Sequence, residues 1–122
     1  MNRPEYLIIH HTGGTDANPL ADTSHHTFEI VDDHHRRLWN FRSSLGHFIG
    51  YHYFIDLSGK VTQGRADYDE GAHTRGMNRK SIGICLAGNF DLADEPSKAQ
   101  VEALRSLMIR LVNKHNIKLE NI

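Results

Sequence analysis

Only one cysteine, Cys85, occurs in the chain. A single thiol excludes an internal disulfide and fits a protein that matures in a reducing compartment. No charge of either sign dominates, since 14 Lys and Arg stand against 15 Asp and Glu for a formal net charge of -1. An electrostatic grip on nucleic acid needs a basic stripe, and none is present. Long apolar runs are missing too. The opening segment MNRPEYLIIHH offers only Leu7 to Ile9, too short for a signal-peptide core and far too short to span a membrane. Repeats, low-complexity tracts and linker-like runs are also lacking. Residues 1–122 therefore read as one domain, large enough to bury a core without staples. The expectation is a monomer synthesised in the cytoplasm without a signal peptide, with neither nucleic acid nor membrane as partner.

Histidine, by contrast, is abundant, with ten in 122 residues. Four stand in the pairs His25-His26 and His34-His35, which read as the solvated flank of a helix.

Hydrophobic patterning gives the elements. Glu5 to His10 reads as a first strand, ended by the breaker Thr12-Gly13-Gly14. Residues 13–23 form a loop rich in Gly, Asp, Asn and Pro. A helix starts near Thr27 and runs to about Leu38, with Phe28, Val31, His35 and Leu38 on one face. Tyr51 to Asp56 and Val61 to Gln63 flank Ser58-Gly59 and form a hairpin. Ser81 to Ala87 is nearly all apolar, as in a central strand buried on both faces. A last helix begins at Ser97, with Gln100 completing a capping box. Val101, Leu104, Met108 and Leu111 form its buried stripe, widened by Leu107 and Val112. The order β-α-β-β-β-α indicates an α/β fold, a mixed central sheet flanked by helices.

Four segments carry candidate chemistry. In Ile8-Ile9-His10-His11-Thr12 a histidine ends a buried strand, where a rigid backbone suits either a metal ligand or a hydrogen-bonded structural imidazole. In Ile49 to Ile55 (IGYHYFI), strand alternation places Tyr51 and Tyr53 on one face and His52 and Phe54 on the other; packing aromatics are the competing reading. Asp69 to Gly76 (DEGAHTRG) is a polar loop with two glycines, a common setting for ligand sites. Asn78 to Phe90 is a buried strand that empties into the Gly88-Asn89 turn. Cys85 lies mid-strand and reads as an inert packing thiol rather than a nucleophile.

Taken in order, IIHHT, IGYHYFID-SGKV, GR, GAHTRGMN, SIGICLAGNF and the AQVEAL helix resemble the type-2 N-acetylmuramoyl-L-alanine amidases. That family includes phage lysozymes of the amidase kind and the related peptidoglycan-recognition proteins. The resemblance covers nearly the whole chain. It implies zinc-dependent hydrolysis of the amide joining N-acetylmuramic acid to L-alanine, or muropeptide binding without cleavage. It implies His10 as the first zinc ligand, Tyr51 as a catalytic residue beside the metal, and His73 as lining the substrate groove. Thr74, Arg75 and Asn78 are implied contacts to peptide or glycan. Family members continue past the last helix into a short strand and a Gly-His segment, then a loop bearing Cys or Asp; those positions supply the second and third ligands. In this sequence Lys118 to Ile122 stands where that strand begins. An endolysin of phage origin, released onto the cell wall by another route, is the expected setting.

Overall fold

The structure, a computed structural model, describes residues 3–15, 17–91 and 95–122. Asp16, inside the expected 13–23 loop, lies outside the described residues. Strand β1 spans Tyr6–His11, helix α1 Phe28–Trp39, β2 Tyr53–Ile55, β3 Val61–Gln63, β4 Ser81–Leu86 and helix α2 Lys98–His115. The sheet order is β1-β4-β2-β3, with β1 and β2 parallel to β4 and β3 antiparallel to β2. This is the mixed sheet expected from the pattern.

Every residue of β4 is buried, because the strand is central and both its faces are covered. On one face Ile82, Ile84 and Leu86 pack with Leu107 and Leu111 of α2. On the other, Cys85 and Ala87 pack with Phe28 and Val31 of α1 and with Phe54. Burial pushes the Cys85 thiol up to about 12, so it stays a protonated packing group.

The helix ends follow the sequence signals. Thr27 caps α1 by accepting from the Ile30 N–H, and Ser97 with Gln100 forms the capping box of α2. Gln100 has a second task that the motif does not reveal. Its buried Nε2 donates to the Ile55 and Ala87 carbonyls, closing the ends of β2 and β4. The C-terminus of α2 is tied down at Asp67, whose carboxylate accepts from the Tyr53 hydroxyl, Lys114 Nζ and His115 Nε2. Burial pushes the Asp67 carboxyl up, but these donors outweigh it and hold the group below its ordinary range.

Five expectations need correction. Tyr51 does not share a face with Tyr53. The strand begins only at Tyr53, after a bend at residues 51 and 52, so Tyr51 packs on the α1 side while Tyr53 packs on the α2 side. His35 is buried, as its place on the Phe28–Val31 face requires and against its reading as half of a solvated pair, and its Nδ1 accepts the Gly50 N–H at 2.8 Å. Leu38, in the last turn of α1, and Val101 are exposed; the first turn of α2 meets the sheet through Gln100, which leaves Val101 at the edge of the buried face. Lys118 starts no strand. Asn116 ends α2 at φ 53, and Leu119–Asn121 closes a 3-10 turn whose Asn121 Nδ2 donates to the Glu5 carbonyl.

Two measurements test this packing. Leu107→Ala removes a side chain only 3% exposed and is expected to cost about 2–5 kcal/mol in denaturant unfolding. Val101→Ala should cost less than about half a kcal/mol; equal losses would refute the assignment of the buried face. Burial lowers His35 to about 4 from 6.5, so the unfolded chain binds a proton that the folded chain refuses. Stability is therefore present above pH 6.5 and falls as pH drops toward 4. Replacing His35 with Gln should flatten that stretch of the stability–pH curve.

Candidate functional site

The register of β1 on β4 sets His10 opposite Cys85, and that of β2 sets Phe54 opposite Cys85. Paired residues in neighbouring strands share a face, so His10 projects on the α1 side. Its neighbour His11 is held apart, with Nδ1 accepting the Phe90 N–H and the ring stacked on Phe90 at 5.6 Å.

The loop carrying His73 crosses this face. The imidazole fits because two glycines lack side chains: a Cβ on Gly83 would stand 2.6 Å from the His73 ring, and one on Gly71 2.5 Å. Asn78 Oδ1 accepts from the His73 and Thr74 backbone N–H groups, both at 2.9 Å, and so fixes the loop. His73 Nδ1 then lies 2.9 Å from His10 Nε2, and Thr74 Oγ1 completes a triangle at 3.0 and 3.1 Å. Burial, followed by the neighbouring His52 and His10, lowers His73 to about 3. Burial and then His11 lower His10 as well. Both rings are thus neutral at physiological pH.

Tyr51 stands beside this pair, its ring centroid 5.2 Å from that of His10 and 6.3 Å from that of His73. Burial, and then the adjacent Cys85 thiol, push the phenol well above its ordinary value. It is a neutral hydrogen-bonding group, never a phenolate. Tyr51 and Trp39 line two open cavities. One, of about 470 Å³, also touches Phe41, Glu70, His73, Thr74, Arg75 and Asn78. The other, of about 570 Å³, runs between α1 and Thr12, Gly14, Thr15 and Ala17. Arg75 is exposed at the rim and makes no ion pair or hydrogen bond among the described residues.

Of the six residues singled out from the sequence, Tyr51, His73 and Thr74 line the first cavity, and His10 packs against these three from the strand side. Asn78 lies along the cavity and Arg75 at its edge. Sequence reading missed Arg65, which is 1% exposed. Its guanidinium donates to the carbonyls of Phe41, Phe48, Ile49 and Glu70 and lies 4.6 Å over the Phe41 ring. It pins both banks of the groove. The Gly64-Arg65 pair within the recognised string was the available signal, although nothing in it announced burial.

The donors here do not by themselves make a zinc site. Structural and catalytic zinc take three or four protein ligands. Among the described residues no group of three His, Cys, Asp or Glu side chains converges. The imidazoles nearest His10 are already engaged. His52 uses Nδ1 for the Gly83 N–H and Nε2 for the Asp69 carbonyl. His73 meets His10 and Thr74 through Nδ1 and Ser81 through Nε2.

Comparison with known proteins places this geometry. The family model described as N-acetylmuramoyl-L-alanine amidase matches residues 1–122. Peptidoglycan-recognition protein 2 of Holotrichia diomphalia is 35% identical over 114 residues, covering 93% of this chain and 57% of that protein. The endolysin of Klebsiella phage KP32 is 40% identical over 67 residues, covering 52% of this chain and 44% of the endolysin. The chain spans about half the length of these curated relatives. Among solved structures, the endolysin amidase LysCS from Clostridium intestinale superposes with a TM-score of 0.76 at 28% identity. That match covers 95% of this chain and 66% of the other.

In a chelator-buffered zinc titration, this chain is expected to show no stoichiometric site tighter than micromolar. A tighter one-to-one site would mean that two further donors swing onto His10.

Proposed function

Because the chain belongs to the N-acetylmuramoyl-L-alanine amidase family, we propose that its groove takes the muramyl-peptide portion of peptidoglycan and that the protein hydrolyses the amide between N-acetylmuramic acid and L-alanine. The observation that carries this reading is the contact of His10 with Tyr51 and His73, two residues that line an open groove. Thr74, Asn78 and Arg75 supply polar contacts along it. The exposed guanidinium of Arg75 suits a carboxylate of the peptide stem. Tyr51, held as a neutral phenol, is the hydroxyl available for an oxyanion that develops beside His10. Zinc, which catalytic members of the family use, would be held by His10 together with donors other than those described.

The incomplete donor set favours one alternative, a module that binds muropeptide without cutting it. The two readings separate in one pair of measurements on the same protein. Soluble muropeptide is titrated while the amide resonances of residues 71–78 are followed, and release of the free L-alanine amine is followed with added zinc. Binding with zinc-dependent release supports the amidase; binding without release supports the module. Failure to bind removes both.

Tyr51→Phe keeps the ring and removes one donor. Where zinc-dependent release is detected, the variant should lower it about 10²–10³-fold, with stability changed by roughly a kcal/mol or less. Activity retained within a few-fold would make Tyr51 a packing aromatic.

A further inference from the structure

The hydrogen bonds around His73 run in one direction. Ser81 Oγ lies 2.7 Å from the Met77 carbonyl oxygen, which can only accept, so the serine proton points there. Ser81 Oγ is left as an acceptor, and the group facing it is His73 Nε2 at 3.3 Å. His73 therefore carries its proton on Nε2, and its Nδ1 offers a lone pair. That lone pair faces His10 Nε2 at 2.9 Å. A bare His10 Nε2 at this distance would set two lone pairs against each other. The Thr74 hydroxyl does not change this result. Its single proton can go to either ring, and in neither case does it relieve the clash between the two nitrogens.

We propose that Ser81 is a positioning residue: through its bond to the Met77 carbonyl it fixes His73 as the Nε2–H tautomer, and through His73 it fixes His10 as the Nε2–H tautomer. Nδ1 of His10 is then the lone pair that the site presents, and it has no hydrogen-bond partner among the described residues. The glycine slot over Gly83 and Gly71 keeps the His73 ring from turning to exchange its nitrogens. The relay thus starts at a backbone carbonyl and ends by selecting one nitrogen of His10, the imidazole behind the groove-lining His73. Its bearing on a bound ligand rests on the function proposed above, but the tautomers themselves do not.

Long-range proton–nitrogen NMR of the imidazole rings reads each tautomer directly. It needs neither substrate nor metal, so its failure is separable from failure of the functional reading. In the unaltered chain at neutral pH, His73 and His10 should both appear protonated on Nε2. Ser81→Ala should turn both rings into tautomer mixtures, and Ser81→Thr, which restores the hydroxyl, should restore the single form. A His73 ring protonated on Nδ1 in the unaltered chain overturns the proposal, and that spectrum decides even where a variant fails to fold. Unchanged tautomers in folded Ser81→Ala overturn the role of the serine.

Discussion

Gly83 stands in the middle of a strand buried along its whole length, and the room left by its missing side chain is filled by the His73 imidazole. The rest of the site depends on that substitution of a loop side chain for a strand one. With the ring over Gly83 and His10 opposite Cys85 one strand away, the two imidazoles have to meet. Strands lie about 4.8 Å apart, and alternate residues on one face are roughly 6.6 Å apart. A side chain at position 83 would push the loop outward, separate His73 from His10 and open the floor of the groove. The same atoms that make the core of an α/β sheet therefore also set the geometry of the surface above it.

Arg65 provides the complementary constraint from below. A buried guanidinium is costly unless its donors are satisfied, and here they are met by four backbone carbonyls rather than by a carboxylate. Those carbonyls belong to the segment from Phe41 to Ile49 and to Glu70. One side chain thus joins the stretch before β2 to the loop that carries His73. A carboxylate partner would neutralise the charge in one contact; backbone acceptors spread it across two segments that have no regular pairing of their own. The groove is narrow-floored because its banks share this residue.

What could be read from the sequence divides along the same line. Residues whose placement follows from periodicity were legible: the buried β4, the hairpin around Gly59, the Ser97–Gln100 box, and the order of elements. His10 could be placed because a strand end fixes a side chain by simple alternation. Tyr51 could not, since alternation fails at the bend before Tyr53. There His52 turns inward, its ring bonding the Gly83 N–H while its own backbone N–H bonds the Gly83 carbonyl. His35 looked like half of a solvated pair because its partner is the backbone of Gly50, fifteen residues away. Leu38 and Val101 were read as buried because helical period marks a face without its edges, and in the first turn of α2 it is the polar Gln100 that faces the sheet. The meeting of His73 with His10 spans 63 residues, and no local pattern encodes it; only the family resemblance put the two in one groove.

The described residues complete a binding groove more fully than they complete a metal centre, and the two are built differently. The groove comes from loops clamped by Arg65 and Asn78, whose side-chain partners lie between Phe41 and Thr74, and from the glycine slot that seats His73. A metal centre asks for lone pairs that are left unspent, and here nearly every imidazole nitrogen near His10 is already spent on backbone or on a neighbouring ring. The bonds that shape the groove are thus distinct from the lone pairs that a metal would take. The groove can persist whether or not a full set of donors gathers at His10, because none of the bonds that shape it runs through a metal. Proteins named endolysin and proteins named for peptidoglycan recognition both align with this chain.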